Sequence, residues 1–110
     1  MAFSVSAALL DAMVLAVVGK EETYGYKITQ ELCETVQVSE STLYPVLRRL
    51  QKSGCLETYD KAFQGRNRRY YRITEQGGEM LDSYRSEWRE YSAGISRILN
   101  DKGDNVNGQI

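Results

Sequence analysis

The sequence predicts a mainly α-helical fold with a small β-hairpin. Apolar residues recur at spacings of three and four in several segments, which is the period of a helix with one buried face. Two short stretches rich in tyrosine and isoleucine flank a glycine-containing turn, which is typical of a hairpin. The chain has 110 residues, the size of one domain, and dimerisation would help so small a domain to bury apolar surface.

The first two helices are predicted from their apolar residues. The first covers residues 5–18 and is apolar on nearly every side, so we expect it to be buried against more than one partner. A polar turn is predicted at residues 20–23. The second helix covers about residues 24–34 and turns Ile28 and Leu32 toward the core.

The third helix follows Ser39, a predicted N-cap, and ends near residues 53–54. It contains the only proline of the chain, Pro45. Its buried face is formed by apolar residues at i, i+3, i+4 and i+7, namely Leu43, Val46, Leu47 and Leu50. Pro45 therefore lies on the exposed face near the helix N-terminus, where a missing backbone N–H costs little.

The hairpin is predicted to pair residues 56–61 with residues 68–73 through a loop at 62–67. Side chains alternate between the two faces of a strand, so Tyr71 and Ile73 share a face. We expect that face to be the buried one because it carries the isoleucine.

A last, long helix is predicted after Thr74, its N-cap. Its apolar and aromatic residues alternate spacings of three and four, as in the seam between two packed helices: Leu81, Tyr84, Trp88, Tyr91, Ile95 and Ile98. We expect the far half of this helix to leave its own core and to be covered by a second subunit. The chain is therefore divided into residues 1–73, a dimerisation helix at 74–100 and a disordered polar tail at 101–110.

The predicted order of three short helices, a hairpin and a long helix is that of a winged helix-turn-helix domain followed by one more helix. Eight basic and three acidic residues lie between Val38 and Ile73, so this third carries +5 in a chain whose net charge is −1. A basic segment between acidic flanks favours a surface that binds a polyanion. Ordinary solvated charge is the alternative interpretation.

Other classes of protein are disfavoured by what the sequence lacks. The chain has no histidine and only two separated cysteines, so we expect no enzyme, no metal site and no cofactor. No apolar run is long enough to span a membrane, and no basic segment precedes the first apolar stretch. We therefore expect a cytoplasmic protein in which Cys33 and Cys55 are reduced, buried small hydrophobes rather than a redox switch.

Three separated segments resemble the PadR family of bacterial transcriptional regulators: TYGYKITQEL from residue 23, STLYPVLRRLQKSGCLE from residue 41 and GRNRRYYRITEQG from residue 65. The resemblance covers roughly residues 7–99. One departure is Asn67, where many members have proline. Because a single helix follows the wing, the chain looks like the short PadR subfamily.

The resemblance implies a dimeric winged-helix protein, in most cases a repressor that small molecules or stress release from DNA. Its partner would be a palindromic operator of double-stranded DNA, with the third helix as recognition helix. The residues expected to contact DNA are Ser41, Thr42, Tyr44, Pro45, Arg48 and Lys52 on that helix, and Arg66 and Arg68 on the wing. For Pro45, contact with a thymine methyl and a plain helix-start role both stay open. The alternative function is a winged-helix module that binds protein instead of DNA.

Trp88, the only tryptophan, lies in the middle of the predicted seam. It either packs between subunits or forms a flat wall of an effector pocket between them, which would take a planar aromatic compound. The residues expected at this pocket or seam are Ala8, Asp11, Ala12, Leu81, Tyr84, Trp88, Tyr91 and Ile95.

Overall fold

The computed structural model describes residues 3–102 and confirms the mainly α fold with a small β-sheet. The elements follow in the order α1 (Ala7–Lys20), β1 (Thr23–Tyr24), α2 (Gly25–Cys33), α3 (Glu40–Lys52), β2 (Leu56–Phe63), β3 (Arg66–Ile73) and α4 (Glu75–Leu99). From residue 103 onward, the tail predicted to be disordered lies outside the described residues. No helix among residues 3–102 is both long and apolar enough to cross a membrane.

Side-chain caps determine where three of the helices begin. The hydroxyl of Ser39 accepts a hydrogen bond from the backbone N–H of Thr42, and the hydroxyl of Thr74 accepts one from Gly77, as predicted. Ser6 caps α1 in the same way. These caps satisfy N–H groups that have no partner inside the helix.

The core lies where α1 meets α2, α3, α4 and β3, which confirms the expectation that α1 is buried against several partners. Ile28 and Leu32 of α2 are buried, as is the predicted face of α3. The remaining core side chains come from α1, the link before β2, the sheet and the first turns of α4: Leu10, Val14, Leu15, Val18, Cys55, Leu56, Tyr71 and Leu81.

The sheet has three strands in the order β1–β3–β2, both pairs antiparallel. The predicted polar turn at residues 20–23 is therefore wrong at both ends, because Lys20 is the last residue of α1 and Thr23 pairs with Tyr71 in the sheet. The predicted loop at 62–67 is also wrong, since β2 and β3 continue to a two-residue turn at Gln64 and Gly65. Both turn residues have positive φ, 52° and 79°, as a tight type I′ turn requires.

Pro45 lies in the second turn of α3 and is exposed, as predicted. The first helical hydrogen bond of α3 runs from the Leu43 N–H to the Ser39 carbonyl. Pro45 comes two residues later, so it leaves the Ser41 carbonyl without its usual donor. The cost is therefore one helical hydrogen bond rather than none, at a residue that is open to solvent.

The far half of α4 extends away from the core, as expected from the seam. Leu81 is buried, whereas Trp88 is 47% exposed and Ile98 is 74% exposed. The described residues measure 69 × 28 × 20 Å, because α4 protrudes from the rest. Because the far half of α4 extends past the core, its apolar stripe is left uncovered in the single chain.

The two cysteines have different environments. Cys55 is buried, as predicted, but the prediction for Cys33 is wrong because Cys33 is exposed. Cys33 is the last residue of α2 and lies just past the buried Leu32, where the helix has turned its side chain off the core face. Its thiol donates a hydrogen bond to the Val38 carbonyl at 2.9 Å.

Candidate nucleic-acid interface

A groove of about 460 Å³ separates the exposed face of α3 from the β1–α2 junction and strand β3. Its walls bring together three residues predicted to contact DNA, Tyr44, Arg48 and Arg68. The pattern of the sequence did not indicate the other residues of this groove: Tyr24, Gly25, Tyr26, Gln51, Arg69 and Tyr71. Most of them belong to segments that are distant from α3 in the sequence and that the fold brings next to it.

The cations predicted to contact DNA share one property. Within residues 3–102, none of Arg48, Lys52, Arg66 and Arg68 forms an ion pair. The other arginines of the basic segment are neutralised, because Arg49 pairs with Asp11, Arg72 with Glu57 and Arg69, more loosely, with Asp60. Unpaired charges therefore lie on α3 and the wing, where a polyanion can reach them.

The N-terminal turn of α3 presents a cluster of hydroxyl groups. The Ser39 hydroxyl lies 2.9 Å from that of Ser41 and 3.1 Å from that of Thr42. Ser41, Thr42 and Pro45 are all open to solvent at least in part. A helix N-terminus with accessible hydroxyls suits contact with phosphate or with base edges.

Tyr44 is held in place by Gly25. A Cβ atom at residue 25 would lie 2.9 Å from Cε1 of Tyr44, so the missing side chain of glycine lets the tyrosine ring pack on the start of α2. The Tyr44 hydroxyl donates to Glu40 Oε2 at 3.2 Å. Burial, followed by this hydrogen bond, raises the pKa of Tyr44, so the phenol is neutral near pH 7.

The wing carries Arg66 directly after the turn, and Arg66 lines a shallow cleft together with Phe63 and Arg68. Arg68 is half-buried because its guanidinium lies between two rings, 4.0 Å from the centroid of Tyr24 and 4.0 Å from that of Phe63. Lys52, at the end of α3, is exposed and does not line the groove.

A second cleft, of about 560 Å³, lies between α1 and the middle of α4. Of the residues predicted for the pocket or seam, it is lined by Ala8, Ala12, Tyr84, Trp88 and Tyr91. Glu87 and Glu90, which the sequence did not single out, lie beside the tryptophan and give the cleft an acidic side. The cleft is open because α4 has no cover at this point of the single chain.

Three other residues of that predicted set lie outside the cleft. Leu81 belongs to the core of its own chain, and Ile95 lies further along α4 with 38% of its surface exposed. Asp11 is buried and its carboxylate accepts two hydrogen bonds from Nη1 of Arg49. Helical spacing predicts Asp11 at the cleft beside Ala8 and Ala12. In the structure, the hydrogen bonds from Arg49 direct the Asp11 carboxylate toward α3 instead.

Residues 3–102 contain no cluster of three or more histidine, cysteine, aspartate or glutamate side chains able to hold a metal ion. The basic groove and the aromatic cleft are therefore the two places in the described part of the chain where the predicted chemistry is assembled. They share no lining residue.

Comparison with known proteins identifies the family. The family model described as Transcriptional regulator PadR-like family matches residues 14–83. The chain is 40% identical to the solved structure of smu.1704 from Streptococcus mutans UA159, with a TM-score of 0.85, covering 92% of this chain and 95% of that one. It is 34% identical to the PadR-like transcriptional regulator BC4206 from Bacillus cereus, with a TM-score of 0.78, covering 84% of this chain and 92% of that one.

A curated relative is also a regulator. The Transcriptional regulator Rv3488 from Mycobacterium tuberculosis is 40% identical over 70 residues, which are 63% of this chain and 65% of that protein. PadR-family proteins are transcription regulators and not enzymes, which agrees with the prediction made from the missing histidines. With a family model that spans most of the domain and solved relatives that match the whole fold, this chain belongs to the PadR-like family of transcriptional regulators.

Proposed function

We propose that this protein is a homodimeric repressor that binds a palindromic operator in the cytoplasm and leaves it when a small molecule binds. The observation that carries the DNA-binding part is that the cations predicted to contact DNA form no ion pair within residues 3–102: Arg48, Lys52, Arg66 and Arg68. Cations without acidic partners are free to replace the counterions of a phosphate backbone.

The shape of the groove supports the same interpretation. Arg48 on α3 and Arg68 on β3 face one groove, so a single phosphate strand can contact both elements. In winged helix-turn-helix proteins the recognition helix enters the major groove with its N-terminal residues toward the bases. Ser41, Thr42, Tyr44 and Pro45 occupy that end of α3, and Arg66 lies at the wing tip to meet the backbone or minor groove.

The uncovered stripe on α4 supports a homodimer. Trp88, Tyr91, Ile95 and Ile98 are all exposed in the single chain, at the spacing of a helix-packing seam. A second copy of the same helix covers this stripe with matching side chains, and two-fold symmetry then presents two recognition helices to a palindromic site.

The aromatic cleft supports a small-molecule effector. Trp88 and Tyr91 have ring centroids 6.2 Å apart, and Glu87 and Glu90 flank them. Such a site favours a flat aromatic compound, and a cationic one in particular, because rings and carboxylates both attract a delocalised positive charge. Repression and release follow the habit of the PadR family that the sequence resembles.

The DNA-binding part is tested by measuring affinity for a labelled duplex from the region upstream of the gene, as a function of salt. Arg48→Gln with Arg68→Gln should weaken binding and flatten the slope of log affinity against log salt by about 0.9 for each phosphate that the protein no longer neutralises. Lys20→Gln with Arg85→Gln removes the same charge from residues already paired with Glu31 and Asp82, and serves as the control.

The outcome separates DNA binding from the alternative of a protein-binding module. Equal slopes for the two double variants would mean that net charge, and not the groove, controls the affinity. If the wild-type protein binds neither this duplex nor any other, the winged-helix module that binds protein becomes the better interpretation.

A further inference from the structure

We propose that Tyr24 and Phe63 are positioning residues for DNA binding, because their rings hold the guanidinium of Arg68 ready to meet phosphate. The proposal rests on the DNA-binding function above and adds to it two residues that act through Arg68.

The strand order places one ring on each side of the arginine. Arg68 lies on the central strand β3, whereas Tyr24 lies on β1 and Phe63 on β2, which flank it. Tyr24 is opposite Tyr70 and Phe63 is opposite Arg66, so both rings are on the same sheet face as Arg68. The Cζ atom of Arg68 lies 4.0 Å from each ring centroid, which is close for a cation–π contact.

The rings are themselves held in place. Tyr24 meets the ring of Tyr70 edge-on, with centroids 5.6 Å apart, and Tyr70 stacks on Tyr59 at the same distance. Phe63 is the last residue of β2 before the two-residue turn, so its backbone is fixed by the ladder on one side and a tight turn on the other. The arginine therefore lies against a fixed aromatic support and not a mobile loop.

Contact with two rings still leaves the N–H donors of the guanidinium for another partner. Aromatic rings attract a guanidinium through its flat faces, whereas its five N–H donors point outward in the plane. Within residues 3–102, no carboxylate or carbonyl accepts a hydrogen bond from the Arg68 side chain. The donors that suit a phosphate are thus unused while the side chain is already ordered.

Order in the free protein lowers the cost of binding. A long side chain that is ordered only in the complex loses conformational freedom at that moment, which costs about two- to tenfold in affinity. Among the described residues, Arg48 and Arg66 have no cation–π contact and carry that cost, whereas Arg68 does not. Removing a ring should therefore weaken DNA binding while all positive charges stay in the protein.

The test compares the full chain with Phe63→Leu, Phe63→Tyr and Arg68→Gln, using a labelled random-sequence duplex and the duplex from upstream of the gene. The control is Tyr59→Leu, which removes a ring from the same face that contacts Arg72 and Tyr70 but not Arg68. Urea unfolding of each variant reports whether the fold is kept. Affinity is measured between about 50 and 200 mM salt.

Phe63→Leu should weaken binding by about two- to tenfold with an unchanged salt slope, because the charge still reaches phosphate but must first be ordered. Phe63→Tyr should restore wild-type affinity, since it keeps the ring. Arg68→Gln should weaken binding and also lower the slope. Tyr59→Leu should lose less affinity than Phe63→Leu, because the Tyr59 ring acts on Arg68 only through Tyr70 and Tyr24.

Two results would overturn the proposal. One is wild-type affinity for Phe63→Leu, and the other is an equal loss in Phe63→Leu and Tyr59→Leu, which would mean that the ring acts through hairpin stability alone. Arg48→Gln distinguishes this failure from that of the proposed function. If Arg48→Gln still weakens binding, DNA recognition stands without the positioning role, whereas a wild-type protein that binds neither duplex removes both.

Discussion

Arg49 of α3 donates from a single nitrogen, Nη1, to both carboxylate oxygens of Asp11 on α1, at 3.0 and 2.8 Å. The Asp11 side chain is 12% exposed and that of Arg49 is 51% exposed, so the acid is the buried partner. The hydrogen bond to Asp11 raises the pKa of Arg49. Burial, with the Asp11 charge second, raises the pKa of Tyr84 on α4. Helix α3 is thus tied to α1, which lines the aromatic cleft.

The Asp11–Arg49 pair should contribute modestly to stability. We expect a coupling of about 1 kcal/mol in a double-mutant cycle of Asp11→Ala and Arg49→Ala, because solvent screens the exposed half of the arginine. The free energy of unfolding in urea gives the value. Asp11→Ala alone should cost more than the matched change Asp82→Ala, whose pair with Arg85 is exposed. Equal losses for the two would contradict a role for burial.

Alanine substitutions at two adjacent glycines of α4 should change the stability of the fold in opposite directions. At Gly77 a Cβ atom would overlap the carbonyl oxygen of Cys55 and lie 2.8 Å from Cγ1 of Ile73, so Gly77→Ala should cost roughly 1–3 kcal/mol. At Gly78 no atom of another described element lies within 4 Å, so Gly78→Ala should stabilise by about 0.5–1 kcal/mol through helix propensity. Thermal unfolding compares them directly, and a shift of the same sign in both would refute the close contact.

The stripe on α4 should hold the dimer. Ile95→Lys with Ile98→Lys should give a folded monomer in sedimentation at micromolar concentration, since a dimer would have to bury both charges. Both residues are exposed in the single chain, so helix content in circular dichroism should be kept. Ser86→Lys with Ala93→Lys adds the same charge on the opposite side of α4 and is the control. A stable dimer of the first variant would place the interface elsewhere.

Trp88 should bind planar aromatic cations in the cleft. Calorimetry with such compounds should show Trp88→Ala binding roughly two- to tenfold more weakly than wild type, and Trp88→Phe close to wild type, because a ring is what stacks. The same compounds should lower the affinity of the wild-type protein for its duplex. If the compounds release Trp88→Ala from the operator at the same concentration as they release the wild-type protein, the tryptophan has a packing role only.

Alkaline pH should destabilise the fold through the buried Tyr71. Burial raises the pKa of Tyr71 above its ordinary value of about 10, so the unfolded chain loses this proton first. The contribution to stability is therefore complete below pH 10 and is lost as the pH rises through the higher pKa of the folded state. Urea unfolding should become easier above about pH 10, and less steeply in Tyr71→Phe. An unaltered pH dependence in Tyr71→Phe, with the exposed Tyr26→Phe as reference, would contradict this cause.

Much of the scaffold was predictable because local rules decide it. The caps at Ser39 and Thr74 depend on a hydroxyl three residues from a free N–H, and the buried face of α3 depends on the helical period alone. The same period placed Pro45 on the exposed face and Trp88 on a stripe that the single chain leaves uncovered. The segregation of charge into residues 38–73 is a property of composition and needs no structure.

The tertiary structure alone decided the contacts between segments that are far apart in the chain. Strand β1 forms because the distant strand β3 offers Thr23 and Tyr24 the partners Tyr71 and Tyr70, which no local pattern indicates. For the same reason Asp11 faces Arg49 and not the cleft, and Arg68 lies between the rings of two different strands. The sequence by itself determined which residues carry charge and which faces are apolar. Packing determined which of those charges stay unpaired, because a carboxylate neutralises only the arginine that the fold brings within reach.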